Sequence, residues 1–253
     1  SDSGDISITG STGGTDSSSV GFYSSENTNA SITSTSGDIT LTADTMDYKS
    51  SMQSSGALKL QPETATTTVG IAGGAGTLNL STDEIGYLQN GFSSITIGKA
   101  DAGAITVGGS DTFNDDLNLI TDSTIAINGA LTINDNMSMT SGGAITQTQA
   151  LDVNGTMSIT AGSGNNVTLD NSGNDFTGAF TIVSGNDVSI RDTNALALAA
   201  STITGDLTLQ TGGNLTQTGA LEVNGATSIT AGSNDVTLNN SSNDFTGAVT
   251  IVS

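Results

Sequence analysis

Two stretches of this chain are near copies. Ser141–Gly162 (SGGAITQTQALDVNGTMSITAG) returns as Thr211–Gly232 (TGGNLTQTGALEVNGATSITAG), 70 residues further on. Gly162–Ser184 then returns, one residue shorter, as Gly232–Ser253. A repeat of this quality decides the architecture before any other signal is weighed. Its unit is 141–210, followed by a truncated second copy at 211–253.

Seventy residues exceed one turn of a solenoid, so a shorter period must lie inside. Pairs of apolar residues at alternate positions recur between polar Gly/Asn/Asp turns: Leu117/Leu119, Ile125/Ile127, Leu131/Ile133, then Met137/Met139. One position runs through the series as Leu119, Met139, Ile159, Ile182, Leu209, Ile229 and Ile251, in steps of 20, 20, 23, 27, 20 and 22 residues. Alternation of period two, with Thr and Ser between the apolar positions, belongs to strands. The predicted fold is all-β: a right-handed parallel β-helix (solenoid) with about three strands per coil and coils of roughly 20–27 residues. Its inward side chains stack as aliphatic ladders, each fully buried Ile or Leu contributing about 1.5–3 kcal/mol. One coil cannot offset its own ordering entropy, and stacked coils can. About eleven coils at a ~4.8 Å spacing make a rod roughly 50 Å long.

The turns fit this reading. Asn128-Gly129, Asn154-Gly155 and Asn224-Gly225 are residue types that tolerate φ > 0. Asn174-Asp175-Phe176 and Asn243-Asp244-Phe245 mark a second corner, where either a stacked Asn ladder or ordinary turn residues would serve. Residues 64–253 are expected to form regular coils. Residues 1–63 are expected to form irregular coils with longer loops, one of them around Phe22-Tyr23; a separate small β domain is the alternative. Helix is excluded over Asp116–Ser253, where no 3.6-residue apolar stripe exists.

Composition narrows the function classes. Net charge is −21, with Lys49, Lys59, Lys99 and Arg191 the only basic residues, which argues against nucleic acid or anionic membranes as partners. The surface would instead attract divalent cations. No apolar run approaches a membrane span. Cysteine and histidine are both absent, removing disulfides, thiol nucleophiles, the usual general base and most transition-metal sites. A β-helical polysaccharide lyase or glycosidase would have to draw on Asp115/Asp116 with Lys99 or Arg191. Solvated turn charges are the reading preferred for those residues. No catalytic or cofactor-binding residue is therefore assigned, and no enzyme activity is expected. Gly162–Asp170 and Ser184–Asp192 are similar to calcium-binding nonapeptides but lack their nine-residue period, so scattered surface Ca²⁺ is the most they predict. Thr-x-Thr pairs (Thr40/Thr42, Thr146/Thr148, Thr216/Thr218) are expected from strand propensity alone.

The phrases GTLNLSTDEIGYLQNGFSSITIGKADAGAITVGG (Gly76–Gly109) and GNDVSIRDTNALALAASTITGDLTLQTGGNLTQTGALEVNG (Gly185–Gly225) carry a resemblance over roughly Gln61–Ser253. The chain resembles the large secreted exoproteins and adhesins of the filamentous haemagglutinin type. That resemblance implies export, often by two-partner secretion, and right-handed β-helical fibres on the bacterial cell surface. Both chain ends then look like cuts in a longer polypeptide. The expected role is a non-catalytic stalk or fibre segment of a surface adhesin, meeting host, neighbouring-cell or matrix glycans and proteins through loops or flanking modules. A self-assembling sheath or matrix filament, assisted by divalent cations, is the alternative.

Overall fold

The structure, a computed structural model, describes residues 3–11, 20–24 and 31–252. Period-two alternation puts every second side chain of a strand on one face, and that face is consistently the inner one. Leu117, Leu119 and Thr121 are buried, whereas Asn118 and Ile120 between them are half-buried. All strand pairings among the described residues are parallel, and strands lie on their counterparts in the preceding coil, except that Val69–Ile71 lies between Ile105–Val107 and the later strand Leu78–Leu80. The result is a parallel β-solenoid of about eleven turns.

Two ten-stranded sheets form its long faces. The first runs from Ile6–Thr9 through Ser94–Gly98, Leu117–Thr121, Met137–Ser141, Met157–Thr160 and Ala179–Ser184 to Leu215–Gln217. The second runs from Leu78–Leu80 through Ile105–Val107, Ile145–Gln147, Val188–Asp192 and Leu207–Thr211 to Val249–Val252. Short edge sheets complete the cross-section. One stacks Asp111–Phe113, Leu131–Ile133, Leu151–Val153 and Asp175–Phe176; another stacks Ser201–Ile203, Leu221–Val223 and Asp244–Phe245. Between the sheets lies one continuous apolar core, from Ile39 and Leu41 to Ile229.

The ladder drawn from the sequence is inward as expected, but it is not one ladder. Leu119, Met139, Ile159 and Ile182 are fully buried and stack in register in the first long sheet. Leu209, Ile229 and Ile251 stack instead on Leu169 and Ile190, in the second. The apparent 27-residue coil between Ile182 and Leu209 is a change of sheet. Elsewhere a five-residue strand is followed by a three-residue strand across a tight corner, and then by an edge strand. Here two long strands, Ala179–Ser184 and Val188–Asp192, follow each other directly. The chain then crosses from Asp192 to Leu196–Leu198 without an edge strand. The Thr193 N–H donates to the Asn174 carbonyl at 2.8 Å, and the Asp192 carboxylate accepts from the Phe176 N–H, closing the first edge sheet. The six-residue strand Ala179–Ser184 is covered in two parts. Leu196–Leu198 lies over its start, while the Ser201 hydroxyl accepts the Ile182 N–H at 3.0 Å. From there the third strand of each coil sits on the opposite edge.

The Asn-Gly turns also differ in their reason. Gly129, Gly155 and Gly225 are not among the residues with positive φ; those glycines are Gly73, Gly91, Gly98, Gly162 and Gly232. A Cβ on Gly129 would stand 2.0 Å from the Gly109 carbonyl oxygen, and one on Gly225 would stand 2.4 Å from that of Gly205. Close approach of successive coils, rather than backbone handedness, requires glycine there. Asn128-Gly129 precedes an edge strand, whereas Asn154-Gly155 and Asn224-Gly225 follow one, so the three do not share a corner.

The amino-terminal half is less regular, and the irregularity extends past residue 63. Phe22–Ser24 is a strand paired with Met46–Tyr48, although a loop was expected there; the remaining loop assignments, over 12–19 and 25–30, lie outside the described residues. Leu60 pairs with Ile97, so the intervening coil is long. It carries two strands of the second sheet, Val69–Ile71 and Leu78–Leu80, and a short helix α1, Thr82–Gly86. Ser81 caps this helix in a reciprocal box with Glu84, a pattern legible in Ser-Thr-Asp-Glu. Regular coils begin at Ser94–Gly98.

Candidate interaction site

The residues weighed for catalysis are dispersed. Asp115 is buried and accepts the Gly91 N–H at 2.9 Å; Asp116 accepts both the backbone N–H and the side-chain amide of Asn136. These contacts tie one coil to the next at the leading end of the first long sheet. Lys99 follows the far end of that sheet, donating to the Glu63 carbonyl at 2.8 Å and pairing with Asp101 at 3.1 Å. Arg191 lies on the second sheet, beside Gln210. The structure does not bring the four together.

The calcium-like stretches hold polar loops. In the first, the Asn165 amide donates to the carbonyls of Ala161 and Gly142, placing a donor where a cation would require acceptors. Among the described residues, no group of three or more acidic side chains is placed to hold a metal ion. Thr40/Thr42 and Thr216 lie on the first long sheet, at well-separated coils, and Thr146 lies on the second, so the Thr-x-Thr pairs form no coil-by-coil array.

Asn174 and Asn243 do not stack as an Asn ladder. Each forms a reciprocal amide clasp with a glutamine of the preceding coil. Asn174 and Gln147 exchange two hydrogen bonds, while Asn174 also accepts the Leu151 N–H and donates to the Leu169 carbonyl. Asn243, Gln217, Leu221 and Leu238 repeat the arrangement. A true Asn ladder occurs elsewhere: Asn154 donates to Asn134 at 3.3 Å, and Asn134 to Asn114 at 2.7 Å. The clasps satisfy backbone groups that the turn would otherwise leave unpaired, whereas the exposed ladder joins side chain to side chain.

Carboxylates line the two edges. Asp152 and Asp175 are register neighbours on one, Glu222 and Asp244 on the other. Burial pushes the Asp152 carboxyl above the usual range and the charge of Asp175 adds to this. Asp192, nearly inaccessible, is raised chiefly by burial, against hydrogen bonds from backbone N–H groups; its Oδ2 has no hydrogen-bond partner.

One concavity stands apart from the regular surface. A groove of about 290 Å³ opens between the strand Met46–Tyr48 and helix α1, lined by Met46, Asp47, Tyr48, Lys49, Ser81, Asp83, Glu84 and Tyr87. The helix exists because the long coil inserts it, and the groove follows from that insertion. Glu84 is consumed by the fold: one oxygen accepts the Tyr48 N–H at 3.2 Å and the other accepts from the Ser81 N–H and hydroxyl. Asp83 is exposed, while Asp47, Lys49 and Tyr87 are half-buried. Tyr48 is fully buried with its hydroxyl unpartnered, and burial, with the charges of Glu84 and Asp111, pushes its ionisation well above the usual phenol value. In the sequence, the capping box Ser81–Glu84 was the signal that could have drawn attention to this coil.

Fold and surface together define a β-solenoid repeat protein, with polar side chains outside and a dry aliphatic column inside. Residues 115–183 and 185–252 each match the family described as Repeats of unknown function (DUF5649), and the chain belongs to that family. Among curated proteins and among solved structures, nothing matches it.

Proposed function

We propose that this segment is a structural stalk or fibre of a large exported bacterial surface protein of the filamentous haemagglutinin-like adhesin type, without catalytic activity. The observation that carries the reading is the unbroken buried column from Ile39 to Ile229, held in register by hydrogen bonds between coils. A solenoid of this kind transmits length and stiffness, and its parts are added coil by coil. Asp115 and Asp116, the carboxylates closest to a catalytic pair, are spent on backbone N–H groups. The resemblance in Gly76–Gly109 and Gly185–Gly225 supports export to the cell surface, with surface Ca²⁺ as a loosely held accessory. Host, neighbouring-cell or matrix partners are met through irregular coils or flanking modules.

A second reading is a self-assembling sheath or filament, favoured by the carboxylates in register along the two edges, Asp152/Asp175 and Glu222/Asp244, which could join neighbouring copies through divalent cations. Electron microscopy of the native protein separates the two. Single rods with a distinct tip are expected for the stalk; lateral lattices or endless fibres, dispersed by chelator, would establish the filament. Cleavage of polysaccharide by the purified segment would overturn both.

A further inference from the structure

We propose that the groove between Met46–Tyr48 and helix α1 is a binding site for a short stretch of neutral glycan. The chain has three tyrosines and no tryptophan. All three are gathered here: Tyr87 lines the groove half-buried, Tyr23, 59% exposed, sits in register beside Asp47 on the neighbouring strand, and Tyr48, fully buried, lies beneath and presents no surface to a ligand. Elsewhere among the described residues the outer face carries mainly Thr, Ser, Asn and carboxylates, with no tyrosine. Tyrosine is the side chain that offers an apolar ring face and a hydroxyl at small entropic cost, which makes the two accessible rings of Tyr23 and Tyr87 at one concavity a sign of recognition.

The polar lining narrows the ligand. Asp47 and Asp83 supply carboxylate acceptors of the kind that take paired hydroxyl groups, and Lys49 brings a cationic donor into the same lining. Donors and acceptors of both signs around ring faces suit a polyhydroxylated, uncharged chain. Sulfated or uronate glycans are repelled by a net charge of −21. The volume, about 290 Å³, is at the low end of small-ligand sites, which fits a few sugar units and excludes a folded partner from the interior of the groove. The site lies in the coil that breaks the solenoid's regularity, where a repeat scaffold can carry recognition without disturbing its column. The inference deepens the surface-protein reading by naming the ligand class one of its irregular coils takes.

The test uses the whole chain and calorimetric titration with neutral hexasaccharides: cellohexaose, chitohexaose, maltohexaose, xylohexaose and mannohexaose. Hexalysine is the competing probe. Tyrosine emission is a second readout, since every tyrosine lies at or beside the groove. Binding of at least one saccharide with one site per chain is expected, weakened tenfold or more in Asp47→Asn and in Tyr87→Ala, and unchanged in Thr208→Ala on the distant second sheet. Asp47→Asn preserves size and shape, so it remains informative if Tyr87→Ala unfolds the coil. Absence of binding by all five sugars at millimolar concentration, or binding indifferent to Asp47→Asn, would overturn the proposal. Capture of hexalysine alone would replace it with a basic-peptide site. Rods seen by microscopy together with no sugar binding would sink this inference and leave the stalk reading standing.

Discussion

The first copy of the repeat and the second carry nearly the same residues, yet they sit on opposite sheets. Met157–Thr160 belongs to the first long sheet; its counterpart Thr227–Thr230 belongs to the second. Ile145–Gln147 lies in the second sheet and Leu215–Gln217 in the first. The edge strands follow suit, Asp175–Phe176 on one edge sheet and Asp244–Phe245 on the other. Local sequence therefore sets the strand, the corner and the clasp, but not the face. Which face a strand joins depends on how many strands precede it, and the skipped edge strand after Asp192 inverts that order for all that follows.

The clasp is the sharpest point of comparison. Asn174 is completely buried, whereas Asn243 is half-buried. Asn174→Ala removes a partner from Gln147, the Leu151 N–H and the Leu169 carbonyl together, and is expected to cost about 3 kcal/mol or more. Asn243→Ala should cost about 1 kcal/mol, because water reaches the released groups. Denaturant midpoints of the two variants check this; equal losses would mean that the copies do not differ in dryness.

The next difference is a single residue. Where the first copy has Met157, the second has Thr227, and the Thr227 hydroxyl is buried with no hydrogen-bond partner. Thr227→Val keeps the shape and removes the orphan hydroxyl, so a gain of about 1 kcal/mol is expected by urea unfolding. Loss of stability would show that the hydroxyl has a role in the second copy.

The smallest expected effect lies at the junction. Thr121, Ser141 and Thr211 occupy buried corners, and each hydroxyl donates to a nearby backbone carbonyl. Asp192, in register with Thr211 on the second long sheet, puts a carboxylate at such a corner. Its folded pKa is raised, as are those of Asp111 and Asp152, burial being the first cause in each. A raised carboxyl pKa means the folded state binds the proton more tightly. The contribution is complete below the unfolded value of about 3.8 and is lost as pH rises through the folded value. Asp192→Asn should raise the melting temperature at pH 7 and flatten the fall in stability as pH rises above the unfolded carboxyl value of about 3.8. An unchanged pH profile would mean that Asp192 does not titrate between fold states.

Much of the fold was legible because strand alternation and burial are local facts. Leu119, Met139, Ile159 and Ile182 could be read as one inward column from their spacing alone. The break at Leu209 could not be read, because the polar Ser201, inward and buried, interrupts the apolar pairing that marks other strands and so concealed Ser201–Ile203. The Asn-Gly glycines were found for the wrong reason: their need comes from carbonyls one coil away, at residues about twenty positions distant. The groove at helix α1 was illegible for a similar cause. Asp47, Asp83 and Tyr87 acquire a shared surface only when the inserted coil folds back on Met46–Tyr48.

By itself the sequence determined the period, the parallel stacking and the inward face, since each follows from alternation within a few residues and repetition between coils. Only the tertiary structure decided which sheet each copy joins, which edge carries the third strand and where a concavity opens. Those outcomes depend on contacts between coils, and a single skipped strand, invisible in the local pattern, shifts every later coil to the other face.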